Sequence, residues 1–180
     1  MSKYVALLKA INVGGHTVKM DHLKNLFEKI EFENVQTFIA SGNVIFDSKS
    51  KNVDAIKKKI ETELEKFLGY KVPTFIRTTD ELKIISEYKP FKKSDLVNEQ
   101  NFLYIGFLDN QPDQASQKKV LALSDKANEF QFNNKELYWL CRKNFSDSGI
   151  TGKALEKALG METTVRNSTT IRKMVLKYCV

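Results

Sequence analysis

Two short segments carry residue types suited to holding an anion. The first reads Asn12-Val13-Gly14-Gly15-His16-Thr17-Val18-Lys19 and lies between an apolar run and an amphipathic one. Paired glycines let backbone N–H groups come close to a ligand. A helix starting just after them adds the unpaired N–H groups of its first turn, and Lys19 adds positive charge. The same residues also make a plain turn whose backbone geometry calls for glycine. The second segment reads Arg166-Asn167-Ser168-Thr169-Thr170, in which amide and hydroxyl groups precede a basic amphipathic run. Such groups suit phosphate contacts, and they equally suit capping, with Ser168 or Thr169 as the cap.

Other chemistries fail on spacing. Ser41-Gly42-Asn43 is not the G-x-S-x-G elbow of a nucleophilic serine. His16 and His22 are the only histidines, and Cys141 and Cys179 lie far from them and from each other, so no metal is expected. Asp21 beside His22 reads as helix-start chemistry. Gly149-Ile150-Thr151-Gly152-Lys153-Ala154 is like the end of a phosphate-binding P-loop, but Ala154 stands where a magnesium-binding hydroxyl belongs and Asp147 where the first glycine belongs. The Gly14-Gly15 pair does not have the G-x-G-x-x-G spacing of dinucleotide folds. No cofactor is expected.

The elements that must position these residues follow from periodicity. Residues 3–11 are apolar on both alternating faces and read as a central strand. Met20, Leu23, Leu26, Phe27 and Ile30 mark a helix. Val35–Ala40 and Val44–Phe46 read as a hairpin about the Ser41-Gly42-Asn43 turn. Val53, Ile56, Ile60, Leu64 and Phe67 mark a second helix closed by Gly69. A strand over 72–77 and a third helix, opened by the Thr78/Glu81 capping box, complete the set.

After the polar stretch 92–100 the order recurs. There is a strand at 102–108, a helix opened by Pro112, and a hairpin about Asn133-Asn134. A helix capped by Thr151 and ended by Gly160, a short strand at 163–166 and a last helix from Ile171 follow. The fold class is therefore α+β, as two tandem ferredoxin-like βαββαβ halves each followed by an extra helix. The domains read as 1–91 and 101–180, joined by 92–100. In the first half the strand directions bring separate loops to one end of the sheet: the loop 12–19, the turn 41–43 and the connection Gly69-Tyr70-Lys71.

Three blocks taken together resemble a known family: Ala10-Ile11-Asn12-Val13-Gly14-Gly15, Ser41-Gly42-Asn43-Val44-Ile45-Phe46 and Thr164-Val165-Arg166-Asn167-Ser168-Thr169-Thr170. They are similar to the bacterial domain-of-unknown-function family numbered 1697, over essentially the whole chain, Lys89-Pro90-Phe91 included. The last block departs from the family, which usually has Trp where this chain has Ser168. The resemblance implies a duplicated α+β fold and carries over no activity and no catalytic residue.

Composition bounds the remaining classes. The chain has 180 residues, 42% hydrophobic and 28% charged, an ordinary globular balance. Lys9 interrupts the apolar N-terminal run, so no signal peptide is read, and no run is long enough to span a membrane. Two unpaired cysteines fit a cytoplasmic protein. Residues 1–20 hold Lys3, Lys9 and Lys19 and no acid. Residues 163–180 hold Arg166, Arg172, Lys173 and Lys177 and no acid. Together they equal the net charge of +7.

The functional expectation is a protein of unknown function that binds a phosphate-bearing or other anionic ligand at a glycine-containing edge. The ligand set would be Asn12, Gly14, Gly15, His16, Lys19, Ser41, Gly42 and Asn43, with Arg166, Asn167 and Thr169 as the second cluster. A nucleic-acid-binding protein using the basic termini is the first alternative. An enzyme acting on a small molecule in that edge and a protein-interaction module are the others. The strand aromatics Tyr4, Phe46, Tyr104, Tyr138 and Trp139 read as core rather than as base-stacking platforms.

Overall fold

The computed structural model describes residues 1–12, 15, 17–39 and 42–179. Strands β1 (Ser2–Leu8), β2 (Glu33–Phe38), β3 (Asn43–Ser48) and β4 (Thr74–Thr78) alternate with helices α1 (Met20–Lys29), α2 (Val53–Leu68) and α3 (Thr79–Glu87). A short helix α4 (Lys93–Val97) follows. The second series contains β5 (Phe102–Phe107), α5 (Gln114–Leu121), β6 (Asn128–Asn133), β7 (Glu136–Cys141), α6 (Gly152–Leu159), β8 (Thr164–Asn167) and α7 (Ser168–Tyr178).

The chain forms two compact units, residues 1–83 with 174–180, and residues 84–173. The division passes through α3 and α7. Residues 92–100, read from sequence as a connector, hold α4 and belong to the second unit.

The first unit has a four-stranded antiparallel sheet of order β2-β3-β1-β4, and the second repeats it as β6-β7-β5-β8. The registers correspond residue by residue. Tyr4 lies opposite Phe46 and Thr78, and Tyr104 lies opposite Trp139 and Asn167. The fold is thus mixed α+β with two matching four-stranded sheets.

Helices α2 and α6 form where an apolar stripe meets good capping chemistry. In α2, Ile56, Ile60 and Leu64 recur at helical spacing and are buried. The Asn52 side chain accepts from Ala55 N–H at 3.0 Å, and Gly69 closes the helix at φ 78°. Those residues pack with Leu23, Leu26 and Phe27 of α1 against Tyr4, Ala6 and Leu8 of β1. Burying each large side chain is worth roughly 1.5–3 kcal/mol. The other face of β1, Val5 and Leu7, is buried too, which explains why the strand is apolar throughout.

In the second unit Thr151 Oγ1 accepts from Ala154 N–H at 3.1 Å and Gly160 ends α6 at φ 70°. The P-loop-like segment is therefore a capped helix start. Helix α5 opens later than Pro112 implies, because Asp113 is its cap and accepts from Ser116 N–H at 2.7 Å.

The second core is built on Trp139, Phe130, Leu137, Leu155 and Leu159. A polar link fixes it. Asn128, fully buried, accepts from Trp139 Nε1 at 2.9 Å and donates to the Ser148 carbonyl at 2.8 Å. Tyr138 points to the other sheet face and donates to the Ile85 carbonyl at 3.1 Å. Among the described residues no helix is long and apolar enough to cross a membrane.

Candidate functional site

The glycine-bearing end of the first sheet is assembled by strand direction. Leu7 pairs with Asn43, and Leu8 pairs with Thr74, so the exit of β1, Gly42 at the entry of β3 and the entry of β4 share one rim. Leu8 N–H donates to the Gly42 carbonyl at 2.8 Å and Lys9 N–H to the Pro73 carbonyl at 2.9 Å. A Cβ on Gly42 would lie 2.6 Å from Ile11 Cγ2, so the turn and the β1 exit are in direct apposition.

The individual residues divide by role. Asn12 is a loop closer: its Oδ1 accepts from Val18 N–H at 2.6 Å. Asn43 is fully buried and donates to the Phe38 carbonyl at 2.9 Å across the hairpin. Gly42, at φ 76°, supplies a backbone conformation. These three hold the rim in shape. Gly15, at φ 88°, faces open space: a methyl group attached there would meet nothing within 4 Å. Lys19 is exposed and directly precedes α1, whose start has no side-chain cap. Gly14, His16 and Ser41 lie outside the described residues.

Two further lysines reach this rim that periodicity alone does not flag. Lys9 follows β1, and Lys71 lies exposed in the connection before β4. The rim segments 9–20, 39–43 and 69–73 contain Lys9, Lys19 and Lys71 and no Asp or Glu. Lys19 and Lys71 form no ion pair among the described residues. The corresponding rim of the second sheet is of opposite character. Its segments 108–113, 133–136 and 160–163 contain Asp109, Asp113, Glu136 and Glu162 against one cation, Lys135. The backbone there is matched: Leu108 N–H donates to the Lys135 carbonyl at 3.0 Å. The two rims therefore differ in charge while sharing this hydrogen bond, and the connection 9–19 of the first is longer than 108–113 of the second.

The second cluster belongs to the second unit. Arg166 is buried and structural. Its Nη1 donates to Thr164 Oγ1 at 2.7 Å and to the Val165 carbonyl at 3.1 Å. Burial lowers its pKa to about 10, so it stays a cation at neutral pH. Arg77 occupies the same register position in the first sheet and donates to the Ile76 carbonyl at 2.8 Å. Asn167, rather than Ser168 or Thr169, caps α7: its Oδ1 accepts from Thr169 N–H at 2.8 Å. Thr169 is exposed beside it. A polar cleft of about 110 Å³ opens at this helix start, lined by Asn101, Asn167, Ser168, Thr169, Arg172 and Asp95 among others.

Four of the strand aromatics give no stacking surface, since Tyr4, Phe46, Tyr138 and Trp139 are at most 2% exposed. Tyr104 is half-buried, against the sequence reading of it as core, and packs against Phe102 and Phe145. Burial also raises the Tyr104 pKa. Cys141 is buried and Cys179 half-buried, both unpaired, and burial pushes the Cys179 thiol up.

Comparison with known proteins adds the family and the fold. No curated protein matches the sequence. Among solved structures, a conserved bacterial protein from Streptococcus pneumoniae is similar, with 19% identity and a TM-score of 0.78. The match covers 100% of this chain and 99% of that one. At that identity the likeness speaks for the fold alone. A family model described as "Protein of unknown function (DUF1697)" matches residues 1–138, and the chain belongs to that family.

Proposed function

We propose that this protein binds a small phosphate-bearing ligand at the rim of its first unit. The observation that carries the reading is the charge contrast between corresponding connections of two sheets of the same strand order. The connecting segments of one hold Lys9, Lys19 and Lys71 and no acid, with Asp21 in the first turn of α1 and the Glu61 carboxylate on Thr74 N–H beside them, and the segments of its counterpart hold four acids. Packing places no such demand, because Lys19 and Lys71 are exposed. The uncapped start of α1 adds backbone N–H donors. We read both units as ferredoxin-like, a reading supported by the strand order β2-β3-β1-β4 and its repeat. A cytoplasmic setting is in keeping with the two unpaired cysteines.

The burial of Tyr4, Phe46 and Trp139 counts against nucleic-acid binding by stacking. Burial on both faces of β1 counts against partner docking on that strand's faces. The test is calorimetric titration with pyrophosphate, with a single-stranded oligonucleotide in parallel. Pyrophosphate should bind, and replacing Lys19 and Lys71 together by Gln should weaken it about tenfold or more, as for loss of charge-assisted contacts. Equal affinity in the double variant removes this function. Binding of the oligonucleotide alone, with a steep salt dependence, transfers the basic surface to a nucleic-acid role.

A further inference from the structure

The surface of the first unit carries a groove between α1 and α2. It holds about 480 Å³, within the range of about 300–1,000 Å³ usual for small-molecule sites. On α1 the groove is lined by His22, Asn25, Leu26 and Lys29, which share one helix face by their spacing. On α2 it is lined by Glu63, Lys66 and Phe67. Leu26, 8% exposed, gives it an apolar floor. Phe67 is 57% exposed, and the His22 ring stands edge-on to it, with centroids 6.4 Å apart and planes at 83°. The groove thus combines concavity, an apolar floor and an aromatic wall with a few polar groups, which is the make-up of a small-molecule site.

The repeated unit shows that the fold does not require this opening. Helices α5 and α6 are the counterparts of α1 and α2, and they pack more closely along one another. A Cβ on Gly160, which ends α6, would lie 3.9 Å from Ser116 Oγ of α5. A Cβ on Gly69, which ends α2, would meet nothing within 4 Å.

The charges decide which ligand chemistry fits. Lys66 Nζ donates to Glu63 Oε1 at 2.6 Å, so these two neutralise each other. That hydrogen bond, with a smaller contribution from the Lys29 charge, holds the Glu63 carboxyl below its ordinary range, and it is an anion at neutral pH. Lys29 forms no ion pair among the described residues and is the surplus charge of the groove. One surplus cation matches a monoanion. A phosphate dianion would meet the Glu63 carboxylate with one cation too few. Lys29 follows Leu26 by three residues, about 4.5 Å of helix, which is within reach of a carboxylate borne on a ring over Leu26.

We propose that the groove between α1 and α2 binds a small aromatic carboxylate. Its ring lies against Phe67 and Leu26, and its carboxylate accepts from the Lys29 ammonium.

The test titrates naphthoate and its neutral analogue naphthylmethanol into the full-length protein, with the backbone amides of residues 22–29 and 63–67 followed by NMR. Naphthoate should give saturable shifts, and the neutral analogue should bind about tenfold more weakly. Lys29→Gln should bring naphthoate down to the affinity of the neutral compound and leave the latter within about twofold. Phe67→Ala should weaken both compounds about tenfold. Asn25→Trp changes an exposed helix position, so it should fold, fill the groove and abolish both responses. Lys19→Gln with Lys71→Gln should change neither, which keeps the groove distinct from the rim. The proposal is overturned if naphthoate gives no saturable shift, if the two compounds bind alike, or if Phe67→Ala and Asn25→Trp respond as the wild type does. Shifts of these amides that follow protein concentration alone overturn it too, and assign the groove to a second copy of the chain.

Discussion

Replacing Gly42 by Ala combines two costs that the structure separates. Gly42 adopts φ 76°, a left-handed conformation that costs a residue with a Cβ about 1–2 kcal/mol. The new methyl would also lie 2.6 Å from Ile11 Cγ2 and 3.1 Å from Leu8 Cβ. Neither neighbour can swing aside. Ile11 is 1% exposed and branched at Cβ, and Leu8 is fully buried within β1. Forcing an extra carbon into a packed core costs about 1–3 kcal/mol. The expected loss for Gly42→Ala is therefore about 2–5 kcal/mol, a large part of the roughly 5–15 kcal/mol that holds a domain together.

Gly15→Ala and Gly69→Ala are the controls. Both glycines have a positive φ, but a Cβ at either meets nothing within 4 Å. They should lose only the backbone portion, about 1 kcal/mol. Urea unfolding followed by circular dichroism measures all three. Fluorescence is the wrong probe here, because the one tryptophan, Trp139, lies in the second unit. If Gly42→Ala destabilises no more than the two controls, the close apposition of the turn to Ile11 is wrong, and the rim is looser than described.

Other variants test the interior and the titrating groups. Asn128→Ala should cost about 2–4 kcal/mol, because it strands both the Trp139 N–H and the Ser148 carbonyl in the core. Tryptophan fluorescence during urea unfolding reports it directly. Hydrogen bonds from Ala127 and Asn128 N–H hold the Asp125 carboxyl below its ordinary 3.8. Its contribution to stability is present above the unfolded pKa and is lost as pH falls through the folded one. An NMR titration of Asp125 should find a midpoint below 3.8, and Asp125→Asn should flatten the acid limb of the stability curve. Burial raises the Tyr138 hydroxyl well above its ordinary 10, so the folded state keeps this proton while the unfolded state gives it up. Stability should then fall as pH rises above about 10, and Tyr138→Phe should lessen that alkaline loss at a cost near neutrality of about 1 kcal/mol.

Much of the fold is legible because it rests on local rules. The stripe Ile56, Ile60, Leu64 and the caps Gly69, Thr151 and Gly160 each act within a few residues, and each stands where the pattern places it. The Thr78/Glu81 box forms as its spacing implies. The roles of individual polar residues are less legible, because they depend on partners that spacing does not name. Asn12 could face a ligand or its own loop, and only the position of Val18 N–H decides for the loop. Arg166 looks like a phosphate ligand in sequence, but the pleat turns it inward beside Thr164. Asn167, read as a ligand residue, takes the capping role expected of Ser168 or Thr169, since its Oδ1 accepts from Thr169 N–H. The Gly69-Tyr70-Lys71 connection reaches the rim as the strand directions imply, whereas Asn101 gains meaning only once folding brings it beside Asn167.

Strand β2 lies at the margin of its sheet, and its pairing with β3 slips between Glu33 and Gln36, where Asn34 takes φ 52°. An open strand margin invites another polypeptide to add on by main-chain hydrogen bonding. The slip breaks the even spacing of donors and acceptors that such a newcomer would need, and Glu33 sets a charge beside the break. Straightening β2 by removing the irregular residue would give an uninterrupted template, and self-association through strand addition would follow.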